Sequence, residues 1–183
     1  MNPEETLAFI LDGNARFARG ESKHPPSRQA LELDQKPLAV VLGCSDSRVP
    51  PERVFDCAPG DLFVVRVAGN ILDDVVLGSI EYAAGYLGVS LILVLGHSSC
   101  GAVAAARTGH GEGNLSFIVG EIEPALDELR EEEHAAEKAN ARRSARGLPS
   151  QSPQIEQAIS SGKLKVQAAL FDLETARVEL LEP

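Results

Sequence analysis

Two short motifs hold the residue types that could do chemistry. Cys44-Ser45-Asp46-Ser47-Arg48 offers a thiol, a carboxylate and a guanidinium in a row. His97-Ser98-Ser99-Cys100-Gly101 offers an imidazole and a second thiol. Thiolates and an imidazole together favour zinc among the common biological metals. Cys44, His97 and Cys100 would leave one tetrahedral position open, as in catalytic rather than structural zinc sites. Two thiolates cancel the ion's formal charge and weaken it as a Lewis acid. Hydrogen bonds around the site must then help to activate a water. Asp46 and Arg48 can both point from a tight loop into one cleft. An Arg held against a carboxylate fixes its rotamer and keeps it ionised. Such a carboxylate can orient an attacking hydroxide by accepting its hydrogen bond.

Each residue also has a plainer reading. A cysteine alone is most often a small buried hydrophobe, and Cys57 is read that way. Asp46 and Arg48 could simply tie down a loop. Cys44 and Cys100 could pair as a disulfide in an oxidising compartment. The three metal donors occurring together, each motif directly after an apolar run, favour the metal. His110, in a Gly-rich loop, and His134, in a charged stretch, read as solvated surface residues, although His110 could relay protons.

The elements that position these motifs follow from apolar patterning. Residues 37–43, 62–67 and 91–95 are short, nearly continuous aliphatic runs, which suits strands buried on both faces. Val76, Ile80, Ala83, Ala84 and Leu87 recur at helical spacing between the second and third runs, and Gly88 is a plausible stop. The alternation predicts an α/β fold with a mostly parallel central sheet flanked by helices. Both motifs then lie at C-terminal ends of parallel strands, where open α/β sheets place ligands. At the start, Asn2, Pro3 and Glu5 form a capping signature. Residues 1–36 are read as an N-terminal helical arm of the same domain, embracing a dimer partner, with 37–183 as the zinc-binding α/β domain. Residues 116–146 read as one charged helix with a solvated face, interrupted by Pro149 and Pro153. A short helix at 154–160 and a strand at 164–172 follow. The strand turns into a hairpin at 177–180, giving an antiparallel edge.

The chain has 183 residues, enough for one domain with a full core. A net charge of -10 argues against nucleic acid and against anionic membrane surfaces. Three cysteines without a secretory signature point to a reducing cytoplasm.

Cys44-Ser45-Asp46-Ser47-Arg48-Val49, Gly60 to Arg66, Ala68-Gly69-Asn70 and Gly96 to Val103 together resemble the β-class carbonic anhydrases. The resemblance runs from about Gly13 to the last hairpin. It implies reversible hydration of carbon dioxide to bicarbonate at Zn2+ held by Cys44, His97 and Cys100, with Asp46 and Arg48 as the dyad beside the metal. It further implies that Gln35 donates to bicarbonate, that Phe63 and Tyr82 wall the pocket, and that the Gly101 amide is a further donor. A homodimer or dimer of dimers is implied, with Gln35, Phe63 and Tyr82 acting across the interface. Two rival readings share the metal donors: a carbonyl sulfide or carbon disulfide hydrolase, and a non-catalytic zinc-binding protein. The latter would need a fourth protein ligand. A nucleotide-binding α/β domain is weaker, since neither Gly-rich phosphate loop is present.

Overall fold

The computed structural model describes residues 1–23, 34–129 and 132–182. Five strands form one sheet in the order β2-β1-β3-β4-β5. β1 (Ala39–Gly43), β2 (Leu62–Arg66), β3 (Leu91–His97) and β4 (Lys165–Asp172) run parallel, and β5 (Arg177–Leu181) returns antiparallel on β4. This is the expected architecture, with its antiparallel edge. β1 and β3 are buried along their whole length, as their unbroken aliphatic sequences require.

Alternate residues of β1 feed two cores. Ala39 and Val41 join Leu7, Ile10, Phe55 and Val103 on one face. Val40 and Leu42 join Leu77, Ile80, Leu148 and Ile155 on the other. Helices therefore cover both faces. On the first face lie α1 (Pro3–Ala18), α2 (Pro51–Val54), α4 (Gly101–Thr108) and α5 (Leu115–Ile122). On the second lie α3 (Asp74–Tyr82), α6 (Ala135–Gln151) and α7 (Pro153–Ser160).

The expected capping box forms at α1: Asn2 accepts from the Glu5 amide and Glu5 accepts from the Asn2 amide. α1 lies so close to the loop after α2 that a Cβ on Gly13 would fall 1.8 Å from the Phe55 carbonyl oxygen. Asn14 then stitches α1 to the Val54 and Ala176 carbonyls and the Val178 amide. Residues 24–33 of the predicted arm lie outside the described residues.

The single charged helix expected over 116–146 is instead three pieces. α5 ends at Ile122, a short 3-10 helix spans Glu123–Glu128, and α6 runs to Gln151 straight through Pro149. α6 is not a solvated face. Ala136, Lys138, Ala139, Ala141, Arg142 and Leu148 are all buried. Lys138 and Arg142 fit there because Glu132 and Glu179 neutralise them.

Candidate metal centre

β1 sends its connection to β2 on one side, while β3 lies on its other side. The crevice between β1 and β3 is thus the switch point of the sheet, where strand ends open a ligand cleft. Gly43 is registered beside Leu95, so Cys44 and the turn after β3 emerge together. Ser99 takes a left-handed conformation (φ 55°), which folds the turn back and places Cys100 at the start of α4.

The outcome is a cluster predicted from sequence. The donor atoms of Cys44, His97 and Cys100 lie within 4.8 Å of one another, and all three residues are buried. The two sulfurs are 3.9 Å apart. His97 Nδ1 faces the Ser98 carbonyl at 3.0 Å. Its Nε2 is buried with no hydrogen-bond partner among the described residues. An orphaned imidazole nitrogen beside two sulfurs fits a soft divalent metal, because a ligating histidine commonly anchors its other nitrogen on a carbonyl.

Electrostatics prepare the thiols for ligation. The Cys44 thiol is pushed down, first by the hydrogen bond from Cys100, against the cost of burial, and with help from His97 and the Gly69 and Asp46 amides. The same shared hydrogen bond, followed by burial, pushes Cys100 up, while the Val103 and Ala102 amides of α4 oppose the rise. One proton leaves the pair readily and the second is held until a cation displaces it. For His97, burial disfavours charge, but the neighbouring Cys44, the Ser98 carbonyl and Asp46 outweigh it, and its pKa is raised.

The dyad forms as expected. Both Asp46 oxygens receive Arg48, Oδ1 from Nε at 2.9 Å and Oδ2 from NH2 at 2.7 Å. The Arg48 amide also donates to Oδ1, at 2.9 Å. These bonds, led by the Arg48 side chain, hold the Asp46 carboxyl well below the usual carboxylate range despite partial burial. Arg48 reaches the Ser99 carbonyl at 3.3 Å, tying the two motifs together. Asp46 Oδ2 lies 3.9 Å from His97 Nε2, at the rim of the trio.

Three supporting residues carry no role in the sequence reading. Arg66 donates to the Cys44 and Asp46 carbonyls at 2.9 and 2.6 Å, pinning the first motif. The Gly69 amide donates to Cys44 Sγ at 3.3 Å from a left-handed conformation (φ 72°). Asn140, buried on α6, donates to the Gly69 carbonyl at 2.6 Å. A charged residue ending an aliphatic strand was the available signal for Arg66; Asn140 offered none.

Gln35, Phe63 and Tyr82 stand apart from this trio within the chain. Gln35 is exposed and precedes the N-terminal end of β1. Phe63 is registered beside Val40, four positions before Cys44, or about 13 Å along the strand. Phe63 and Tyr82 do meet, with ring centroids 6.2 Å apart. Gly101, the first residue of α4, follows Cys100 directly.

Residues 39–178 match the carbonic anhydrase family model. A carbonic anhydrase of Mycolicibacterium smegmatis is 40% identical, covering 98% of this chain and 93% of its own. Carbonic anhydrase 2 of Mycobacterium tuberculosis is 38% identical, with the same coverage. Among solved structures, a tetrameric β-carbonic anhydrase of Sordaria macrospora superposes with a TM-score of 0.75 at 28% identity, over 98% of both chains. The chain is therefore a member of the β-class carbonic anhydrase family, zinc enzymes that interconvert carbon dioxide and bicarbonate.

Proposed function

We propose that this chain hydrates carbon dioxide at Cys44, His97 and Cys100, with Asp46 and Arg48 preparing the attacking water. The observation that carries the reading is the buried trio, whose imidazole nitrogen finds no hydrogen-bond partner among the described residues. Those three side chains would hold the zinc. Zinc bound there supplies a Lewis acid that makes water acidic near neutral pH, as is established for carbonic anhydrases at large. Asp46 stays ionised because Arg48 occupies both its oxygens. Its carboxylate accepts the hydrogen bond of the attacking water and aims the lone pair at carbon dioxide. With Asp46 committed to Arg48, three side chains remain as metal ligands among the described residues, which speaks against a purely structural zinc. The Gly101 amide, at a helix start with no intrahelical acceptor, donates to the developing carboxylate.

The substrate wall comes from a second copy. Gln35, Phe63 and Tyr82 stand towards the opposite end of β1 from Cys44, so a neighbouring subunit is the economical way to bring them to a metal. β2 is a half-buried edge strand, and Val75, Tyr82 and Tyr86 beside it are exposed. That is an unfinished interface, consistent with a homodimer or dimer of dimers whose arm, within residues 1–36, embraces the partner. A reducing compartment such as the cytoplasm suits two neighbouring thiols that must stay unpaired. Among the described residues no helix is long and apolar enough to cross a membrane. A carbonyl sulfide or carbon disulfide hydrolase would use the same donors, but the family and its relatives favour carbon dioxide.

Asp46→Asn tests the assignment. It should retain zinc while hydration, measured by stopped flow, falls by roughly 100-fold or more. Unaltered kinetics in the zinc-loaded variant would remove Asp46 from the mechanism.

A further inference from the structure

We propose that α6 and α5 enclose a binding site for a small oxyanion of the phosphate type, apart from the metal cleft. A cavity of about 410 Å³ lies where α6 passes the end of α5 and the segment before α3. Small-molecule sites commonly hold about 300–1,000 Å³. The metal donors do not line this cavity, and neither do Asp46 and Arg48. One stripe of α6 makes its wall. Arg143, Ser144, Gly147 and Gln151 follow Asn140 at helical spacing along that side. Gly147 lets Leu72 close the floor: a Cβ there would fall 2.9 Å from Leu72 Cδ2 and 3.2 Å from Gln151 Nε2.

Two side chains of this stripe are unused by the fold. Arg142 and Arg143 are neighbours in sequence, but a helix turns by about 100° between them. Arg142 is held by Glu132 and the Glu182 carbonyl. Arg143, half-buried in the cavity wall, makes no ion pair and no side-chain hydrogen bond among the described residues. The chain carries a net charge of -10, so carboxylates are plentiful and a guanidinium left without one stands out. Ser144, beside it, is 5% exposed, and its hydroxyl also has no hydrogen-bond partner among the described residues. A buried hydroxyl without a partner is costly, which marks a place that something else fills. Water alone would satisfy the hydroxyl but leave the guanidinium without a counter-charge.

The lining also selects the kind of ligand. Donors dominate: the Arg143 fork, the Ser144 hydroxyl and the Gln151 amide all carry N–H or O–H groups. Exposed Arg146 brings a second positive charge to the same cavity. Against these stands one acid, Glu121, which is exposed on α5. Surplus donors and surplus positive charge suit an anion rich in acceptor oxygens. A guanidinium pairs two such oxygens at once, and a phosphate group presents them at the matching separation. The hydroxyl of Ser144 then meets a third oxygen.

The test is calorimetric titration of the zinc enzyme with inorganic phosphate, at constant ionic strength and in a buffer free of other oxyanions. The wild type should bind one phosphate per chain. Arg143→Gln should weaken that binding roughly tenfold or more, and Ser144→Ala roughly threefold. Asp46→Asn, which alters the metal cleft, should bind phosphate as tightly as the wild type. A wild type that binds no phosphate overturns the proposal. So does binding that survives Arg143→Gln or that Asp46→Asn abolishes, since the anion is then held elsewhere. If Arg143→Gln does not fold, Ser144→Ala decides, and unchanged affinity in it overturns the proposal. Failure of the metal-site assignment is read separately, from hydration by Asp46→Asn in phosphate-free buffer.

Discussion

α6 and the α3 face invert the ordinary rule of inside and outside in opposite ways. α6 buries Lys138 and Arg142, each 6% exposed. α3 and the turn after it leave Val75, Tyr82 and Tyr86 at 78%, 44% and 82% exposure. The difference lies in who completes the environment. On α6 the chain supplies the partners itself: Glu132 accepts from Arg142 at 2.6 Å, Glu179 lies 2.9 Å from Lys138, and the Glu182 carbonyl takes Arg142 Nε. On α3, Tyr82 finds Phe63 and Tyr86, but the stack stays open to solvent. A buried charge needs its counter-charge in the same chain to fold at all. An exposed aromatic stack can wait for a second copy.

The sharpest way to break this contrast is to charge the open face. Tyr82→Glu with Tyr86→Glu should dissociate the proposed dimer, because interface tyrosines contribute about 2 kcal/mol or more each when central. The dissociation constant, read by sedimentation, should rise roughly 100-fold or more. Far-ultraviolet circular dichroism of the monomer should remain that of a folded chain, since neither side chain is buried. Hydration should fall with dissociation under the proposed assembly, in which Tyr82 walls the substrate pocket of a neighbouring copy. A charged variant that remains dimeric would place the interface elsewhere.

The complementary break is on α6. Arg142→Ala removes a buried stem and leaves Glu132 to Lys138, 3.4 Å away, and should cost about 3 kcal/mol in chemical denaturation. α6 also carries Asn140, which holds the Gly69 loop against Cys44. Zinc affinity should weaken alongside stability, by roughly 10-fold. A variant that loses stability but binds zinc as tightly would show that the α6 clamp does not reach the site.

These two regions also show what could be read from the chain. β1 and β3 were legible because a strand buried on both faces has few sequence solutions, and the motifs begin just after β1 and at the last residue of β3. The metal trio followed from that placement and from the donor types. α6 was misread because burial of Lys138 and Arg142 depends on Glu132 and Glu179, the latter 41 residues beyond Lys138. No local pattern encodes such pairing. Pro149 was taken as a break, yet only two residues of α6 follow it. Asn140 was silent for the same reason as α6, since its partner, the Gly69 carbonyl, lies 71 residues away.

The gentlest probe of the comparison is acid. The Glu132 carboxyl is held below its ordinary value, first by the hydrogen bond from Arg142, against slight burial, and with added help from Lys138. A carboxyl depressed in the folded state stabilises fully above its unfolded pKa of about 4.3. That stability drains away as pH falls through the lower folded value. Glu132→Gln should therefore cost about 1–2 kcal/mol at pH 7, where two buried cations lose one partner but keep Glu179 and the Glu182 carbonyl. The gap should narrow steadily below about pH 4 as the wild-type carboxyl protonates and comes to resemble the amide. A constant gap between pH 7 and pH 3, measured by urea unfolding, would mean that Glu132 supports α6 through packing rather than charge. In that case the buried cations would owe their place to Glu179 instead, and charging the open tyrosine face would be the cleaner probe of how the two regions differ.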